Sequence, residues 1–267
     1  MANLEAPFGL TSRPARQTSL GTLAPVLRGE RGSRAERVAG AFGTLPPPIV
    51  FVVVMLAGLA AIAGLSIGAG FLITRVVEHA WGIGAADERV NVWLAAHRTA
   101  MRTHASLIGS IIAGGVVLPI VAAASALLAA LFRQWRIAAF AVFTLGVESA
   151  TYRATTLVVH SHRPRVVRLE QLPVNASYPS GHTAAACAVY GGLALLLTSR
   201  FTNGALRVVA WTAAVAVTAF VATSRMYRGM HHPLDVGGGL LVGIAALIVV
   251  VFACRVAGWS SEKRQRA

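Results

Sequence analysis

Histidine and arginine side chains gather in two short polar stretches that interrupt an otherwise apolar sequence. The first contains Arg163 and, further along the chain, residues 179–182 (PSGH). The second is residues 224–235 (SRMYRGMHHPLD). Arginines with few carboxylates beside them indicate a bound anion, and a tetrahedral phosphate fits best because guanidinium groups pair with its oxygens bidentately. Residues 180–182 directly precede an apolar segment, so they predict a helix start whose backbone N–H groups complete the phosphate site.

His231 and Asp235 lie four residues apart in the second stretch. Pro233, between them, suits the first turn of a helix because its missing N–H is not needed there. Asp235 can therefore reach back to an imidazole at the helix entrance. A carboxylate on one ring nitrogen sets the tautomer and leaves the other nitrogen as a nucleophile or base. The two stretches hold no set of carboxylates that could bind a pair of divalent metals.

The composition predicts that these polar stretches lie on a membrane protein. Hydrophobic residues make up 55% of the 267 residues, charged residues only 13%, and the mean hydropathy is +0.64. Such values are typical of membrane proteins. The net charge of +14 lies mainly in tails and short loops, so anionic lipid headgroups are expected as its partners rather than nucleic acid. Cys187 and Cys254 fall in apolar segments, where a small hydrophobic role is expected.

Six apolar segments predict an all-α membrane bundle, since a span takes about 20 residues. Residues 74–106, with Trp81 and Trp93, are expected to lie at the lipid boundary, where tryptophan is favoured. Residues 1–48 are predicted to be a basic, disordered cytoplasmic tail, residues 49–253 the membrane domain, and residues 254–267 a second basic cytoplasmic tail. The predicted spans are residues 49–73, 107–132, 137–159, 183–198, 208–221 and 236–253.

Arginine distribution predicts the orientation of this bundle. The two tails and the turns at residues 133–136 and 200–207 are basic, and the positive-inside tendency places them in the cytoplasm. Both polar stretches then face outward, in a bacterial plasma membrane. Gly239 and Gly243 form a small-xxx-small pair that lets helices approach closely. Glu148 and Arg153 fall inside the third span, where an ion pair is the first expectation and substrate gating the second.

Three motifs occur in order: Arg163-Pro164, residues 179–182, and Ser224-Arg225 followed by a histidine and an aspartate. Together they resemble the type 2 phosphatidic acid phosphatase family, whose superfamily includes the vanadium haloperoxidases. The resemblance covers roughly residues 50–253. It implies a helical core with six transmembrane segments and a metal-independent, cofactor-free hydrolysis of lipid phosphates in two steps.

The resemblance also implies a role for each motif residue. His231 would attack phosphorus and form a phosphohistidine. His182 would protonate the leaving alkoxide and then activate water, while Asp235 orients His231. The implied phosphate ligands are Arg163, Arg225, Ser180 and the backbone amide of Gly181.

One position departs from the family pattern. The first motif begins with a lysine seven residues before the motif arginine, and here that position is Thr156. A threonine donates one hydrogen bond but brings no positive charge. Either the enzyme works with one cation fewer, or another arginine supplies the positive charge that the lysine would bring. The candidates are Arg153, Arg165, Arg168 and Arg228.

The substrate and two other functions stay open at this stage. Phosphatidic acid, phosphatidylglycerol phosphate and undecaprenyl diphosphate share the phosphate end that the motifs recognise. A non-catalytic binder or transporter of lipid phosphates is suggested by Thr156, although binding alone needs no nucleophile. A haloperoxidase fits the site chemistry but not the predicted membrane spans.

Overall fold

The computed structural model describes residues 25–43, 45–80, 82–171 and 175–266. These residues form nine α-helices, two short 3₁₀ turns and one isolated bridge between Ser161 and Ala176, with no strand among them. The predicted helical fold is therefore confirmed. The helices are α1 (Arg34–Ala41), α2 (Pro47–Arg75), α3 (Ile83–Ala96), α4 (Ala100–Ile112), α5 (Val117–Leu131), α6 (Trp135–Val158), α7 (Gly181–Thr198), α8 (Gly204–Tyr227) and α9 (Pro233–Arg266).

Four of these helices, α2, α7, α8 and α9, are long and apolar enough to cross a membrane. The count among the described residues becomes five if α4 and α5, which are bent by 42° at their junction, form one broken span. The predicted third span corresponds to α6, which has 24 residues but carries Glu148, Arg153 and several threonines along its length. The predicted count of six spans is thus not confirmed.

Two glycines bring α9 and α7 into close contact beneath the polar stretches. A Cβ atom on Gly239 would lie 2.5 Å from the backbone oxygen of Ser180, and one on Gly243 would lie 2.6 Å from the oxygen of Ala184. Neither position can carry a side chain without moving a backbone. The small-xxx-small pair therefore sets how closely the first turns of the two helices approach each other.

The N-terminal region differs from the predicted disordered tail over residues 25–41. Pro25–Leu27 forms a 3₁₀ turn and α1 follows it, with Leu27, Ala35 and Ala39 buried in the same apolar cluster as the end of α9. The sequence signal was the Ser-x-x-Glu pattern of a capping box. Ser33 Oγ accepts from the N–H of Glu36 at 3.4 Å, and the Glu36 carboxylate accepts from the N–H of Gly32, one residue before the cap, at 2.6 Å. Residues 1–24 of that tail lie outside the described residues.

Two further segments depart from their predictions. Residues 254–266 were expected to be a separate tail, but they continue α9 without a break. The predicted continuous span at 107–132 is interrupted at residues 113–116, where two adjacent glycines separate α4 from α5. The predicted boundary segment 74–106 contains α3 and the start of α4, while Trp81 lies outside the described residues.

Candidate active site

The predicted site residues lie where α7 begins, α8 ends and α9 begins. The backbone N–H of Ser180 donates to the carbonyl of Asp235 at 2.9 Å, which joins the two helix starts. Arg163 binds both sides of this junction, since its Nη1 donates to the carbonyl of Met230 and its Nη2 donates to that of Ala176 at 2.8 Å. Five predicted residues are no more than 7% exposed: Arg163, Ser180, Arg225, His231 and Asp235.

The ring of His231 is held through its Nδ1 atom by a backbone carbonyl. Nδ1 lies 2.8 Å from the oxygen of Ser177, and a carbonyl oxygen can only accept. The ring must therefore carry its proton on Nδ1, which leaves the lone pair of Nε2 available. Burial, followed by the charges of Arg225 and Arg163, holds the pKa of His231 well below its usual range. The imidazole is consequently neutral and nucleophilic at physiological pH.

Asp235 does not hydrogen-bond to His231 as predicted from the four-residue spacing. Its Oδ2 lies 3.9 Å from His231 Nδ1, too far for a hydrogen bond. The same oxygen instead accepts from Ser177 Oγ at 2.6 Å and from the N–H of His232 at 2.8 Å. The Asp235 carboxylate therefore fixes Ser177, and the carbonyl of Ser177 in turn fixes the His231 ring. Ser177 was missed in the sequence because no helical spacing links it to either partner.

Arg225 is fully buried, at 0% exposure, and only part of its guanidinium group is paired. Nη1 donates to Ser110 Oγ and to the Glu170 carboxylate, both at 2.7 Å. Nε and Nη2 have no hydrogen-bond partner. These two nitrogens form the side edge of the guanidinium, which matches two oxygens of a phosphate. A buried unpaired fork of this kind is costly unless an anion binds it.

Ser180, Gly181 and His182 lie at the N-terminus of α7, as predicted. Ser180 is the N-cap residue, and its hydroxyl is hydrogen-bonded to Thr183 Oγ1 at 2.9 Å. The first free N–H groups of α7 make this end of the helix suited to an anion. His182 is half-buried in the first turn of α7.

Thr156 does not extend toward the site as a substitute for the missing lysine. Its hydroxyl donates to the carbonyl of Arg153 in its own helix at 3.1 Å, and Arg153 is exposed. Arg228 is the candidate that lies inside the cluster: it is 5% exposed and shares the Glu170 carboxylate with Arg225. Arg165 and Arg168 line a neighbouring cavity of about 400 Å³, together with His162 and Arg163.

The predicted ion pair between Glu148 and Arg153 is wrong. Glu148 is 2% exposed and accepts from Ser149 Oγ at 3.0 Å, while its Oε1 has no partner. The two residues are five positions apart on α6, so they project from different faces of the helix. Arg153 lies on the exposed face.

The sequence model of the PAP2 superfamily matches residues 137–258. That segment contains every predicted site residue and all three motifs. This segment of the chain, just under half of its length, resembles the PAP2 superfamily. The resemblance read from the motifs is therefore confirmed, and with its apolar helices the chain is an integral membrane protein.

Three known proteins are similar to parts of this chain. An undecaprenyl-diphosphatase from Sulfolobus acidocaldarius is 40% identical over 75 residues, which cover 28% of this chain and 32% of that protein. The match thus spans about a third of that relative's length. The PAP2-type phosphatidylglycerolphosphate phosphatase of Bacillus subtilis shares the fold, with a TM-score of 0.58, 20% identity and coverage of 76% of this chain and 93% of that one. Aquifex aeolicus LpxE superposes with a TM-score of 0.48, 21% identity and coverage of 61% and 92%.

Helix α3, outside the segment matched to the PAP2 superfamily, binds the second polar stretch, residues 224–235. Asn91 Nδ2 donates to the carbonyls of Met226 at 3.1 Å and His231 at 2.9 Å. Asp87 Oδ1 accepts from the N–H of Leu234 at 3.1 Å. Asp87 and Asn91 are four residues apart, so both lie on one face of α3. That spacing was the available sequence signal, although nothing in it indicated which loop they contact.

His232, next to His231, has the opposite electrostatic environment. Its Nε2 lies 3.1 Å from a carboxylate oxygen of Glu88 and its Nδ1 lies 3.5 Å from Asp235 Oδ2. Burial alone would lower the pKa of His232, but Asp235 and Glu88 together raise it to about 9. Burial also raises the pKa of Asp87 to about 6. His232 is therefore charged at neutral pH and joins α3 to the loop.

The described residues hold no group of three or more histidine, cysteine, aspartate or glutamate side chains placed to bind a metal ion. The candidate site instead offers the unpaired guanidinium edge of Arg225, the N-terminus of α7, and the imidazoles of His182 and His231. Such a set can bind a phosphate, attack it and protonate a leaving group.

Proposed function

We propose that this chain hydrolyses a phosphomonoester or diphosphate on a membrane lipid, phosphatidic acid-like or polyprenyl, without a metal. The observation that carries the proposal is an oriented imidazole together with a buried guanidinium edge that has no protein partner. His231 is fixed at Nδ1 with Nε2 available, and the charge of Arg225, whose Nε and Nη2 are buried and unpaired, acts on that same ring.

The reaction proceeds in two steps. The lone pair of His231 Nε2 attacks phosphorus, the P–O bond to the lipid breaks, and His182 donates a proton to the leaving oxygen. His182 then takes a proton from water, whose oxygen attacks the phosphohistidine and releases inorganic phosphate. Arg225 and the first N–H groups of α7 balance the charge on the phosphoryl oxygens in both steps. Arg163 and Asp235 keep the loops in place.

Lipid phosphates are the favoured substrates for two reasons. The names of the relatives, an undecaprenyl-diphosphatase and a phosphatidylglycerolphosphate phosphatase, refer to lipid phosphates. In addition, the site lies at the ends of apolar helices, where an amphiphile presents its headgroup. Membrane lipids are therefore the expected partners, and nucleic acid is not.

We further infer that the site faces away from the cytoplasm of a bacterial cell and that both termini face it. Helix α9 has 34 residues and is about 50 Å long. The site lies at its first turn, whereas α1 packs against its last turns near Trp259. The site and both described chain ends therefore lie at opposite ends of one long helix, which supports a location across the bilayer.

Phosphate release by purified protein in detergent tests the proposed function. Phosphatidic acid, phosphatidylglycerol phosphate and undecaprenyl diphosphate are assayed in excess EDTA, with His231→Gln as the inactive variant. His160→Asn is the matched control because His160 is exposed. Release by the wild type and the control, with an acid-labile phosphohistidine absent from His231→Gln, is the expected result. Activity that EDTA abolishes and magnesium restores would contradict it, and so would binding of these lipids without any phosphoenzyme.

A further inference from the structure

Glu170 is the one carboxylate among the described residues that pairs with the site arginine Arg225. Its Oε2 accepts from Arg225 Nη1 at 2.7 Å and its Oε1 accepts from Arg228 Nε at 2.6 Å. It lies in the loop between Arg163 and Ser180, and its side chain is 24% exposed. The carboxylate thus bridges two buried arginines immediately beside the candidate phosphate site.

The bridge determines which edge of Arg225 stays available. Nη1 is occupied by Glu170 and by Ser110 Oγ, whereas Nε and Nη2 are unpaired. A guanidinium group is planar and rigid, so anchoring Nη1 sets the direction of the other edge. Without the carboxylate, only the hydroxyl of Ser110 would orient the group, and Nη1 could turn toward the phosphate in its place.

Arg228 differs from Arg225 because each of its guanidinium nitrogens is hydrogen-bonded to the protein. Its Nε binds Glu170, its Nη1 donates to Ser106 Oγ at 3.2 Å, and its Nη2 donates to the carbonyl of Leu169 at 3.1 Å. These bonds attach Arg228 to α4, through Ser106, and to the loop that contains Leu169. Arg228 therefore holds Glu170, and Glu170 in turn holds Arg225.

Glu170 is ionised across the whole range of assay conditions. Burial alone would raise the pKa of Glu170, but the charge and hydrogen bonds of Arg225 and Arg228 lower it to about 2. The anchor is therefore a charge-assisted pair, which is shorter and stronger than a neutral hydrogen bond.

We propose that Glu170 is a positioning residue for the phosphatase reaction, which acts by orienting the Nε–Nη2 edge of Arg225 toward the phosphoryl oxygens. This inference rests on the proposed function. Glu170 itself touches no substrate. It contributes because a bidentate contact requires both nitrogens of the edge to be aligned with two oxygens at once.

The first test compares Glu170→Gln, Glu170→Asp and wild type in steady-state assays with phosphatidic acid, with Glu30→Gln as a control at an exposed glutamate. Glu170→Gln keeps the shape but loses the charge, and we expect kcat/KM to fall about 10- to 100-fold, the effect of losing a charged hydrogen bond. Glu170→Asp should recover part of this loss, and Glu30→Gln should match wild type. A kcat/KM of Glu170→Gln within about twofold of wild type would overturn the proposal.

A double-mutant cycle separates positioning from a merely structural ion pair. If Glu170 acts through Arg225, adding Glu170→Gln to Arg225→Lys should cost little further activity, because lysine has no fork to align. Independent losses that multiply would contradict the positioning role. The cycle is measured with p-nitrophenyl phosphate under single-turnover conditions.

Binding of inorganic orthophosphate distinguishes failure of this inference from failure of the proposed function. The wild type should bind it more tightly than Glu170→Gln, by about 10-fold or more, whether or not any lipid is hydrolysed. Tighter binding by Glu170→Gln would show that the carboxylate competes with phosphate and would overturn the inference. Absence of lipid phosphate hydrolysis by the wild type, with the binding difference intact, would overturn the proposed function alone.

Discussion

The Nδ1 atom of His231 is 2.8 Å from the carbonyl oxygen of Ser177, and 3.9 Å from the carboxylate of Asp235. The group that orients the proposed nucleophile is thus a backbone carbonyl, and the carboxylate acts through Ser177. Asp235 Oδ2 fixes the Ser177 hydroxyl at 2.6 Å. A serine that belongs to none of the three motifs therefore links the two halves of the site.

Replacing Ser177 by alanine should lower kcat by about 10-fold. The substitution removes the hydrogen bond from the Ser177 hydroxyl to Asp235, which holds the carbonyl that orients His231. Asp235→Asn should cost more, since the amide also weakens the bond to His232 N. The two losses should not multiply in the double variant, because both act on one chain of contacts. Ser125→Ala, which removes a hydroxyl bonded only within its own helix, is the control. Wild-type activity in Ser177→Ala would show that Asp235 contacts His231 directly during catalysis.

Substrates with different leaving groups should separate the proposed roles of His182 and His231. His182→Ala should lose about 10²- to 10⁴-fold on lipid substrates, the contribution of a general acid. With p-nitrophenyl phosphate, whose leaving group needs no proton, His182→Ala should still form the phosphohistidine rapidly. His231→Ala should form none with either substrate. An equal defect of both variants on both substrates, measured as phosphoenzyme formed per site, would contradict this assignment.

Adjacent His231 and His232 should titrate at opposite ends of the pH range. The pKa of His231 is held well below its usual value by burial and nearby arginines, so its neutral form persists as the pH falls through 6.5. The pKa of His232 is raised to about 9, so its charged form persists as the pH rises through 6.5. Histidine NMR of labelled protein in detergent, assigned with His231→Asn and His232→Asn, measures both. Titration of either ring near 6.5 would contradict the described environment.

The raised pKa of His232 also predicts a stability change with pH. Because the folded-state pKa of about 9 exceeds the unfolded value, the stabilisation is fully present below about pH 6.5 and is lost as the pH rises through 9. The melting temperature of wild type should therefore exceed that of His232→Asn at pH 6, and the gap should shrink by pH 10. Each kcal/mol corresponds to about 2–4 °C in a domain of this size. A gap that stays constant from pH 6 to 10 would show that His232 is not charged in the fold.

Neighbouring glycines at the start of α9 offer a matched test of the helix contact. Gly239→Ala places a methyl group 2.5 Å from the backbone oxygen of Ser180, whereas Gly237→Ala meets nothing within 4 Å. Gly239→Ala should destabilise the fold by about 1–3 kcal/mol and lower activity, since Ser180 begins the phosphate-binding helix. Gly237→Ala should leave both thermal stability and kcat/KM unchanged. Similar behaviour of the two variants would show that the close approach does not position the site.

Secondary structure and site chemistry were largely predictable because both depend on local patterns. Apolar runs predicted α2, α7, α8 and α9, and the first turn at Pro233 predicted where α9 starts. The break between α4 and α5 was not predicted, although the adjacent glycines Gly114 and Gly115 were a local signal for it. The short helix α1 was not predicted because it is stabilised by packing against the end of α9, far away in sequence. The capping box at Ser33 was a local signal for α1 that the basic composition of the tail obscured.

Residue types and spacing in the sequence by themselves predicted the resemblance to the PAP2 superfamily, the helical membrane fold and the proposed site residues Arg163, His182, Arg225, His231 and Asp235. These features follow from short-range order along the chain, where a motif lies within one or two turns of helix. Only the tertiary structure decided the partners: Ser177 for His231, Glu170 for Arg225, and Asn91 of α3 for the loop before α9. Those contacts join residues 54, 55 and 140 positions apart, and a hydrogen bond over such a separation depends on how the helices pack.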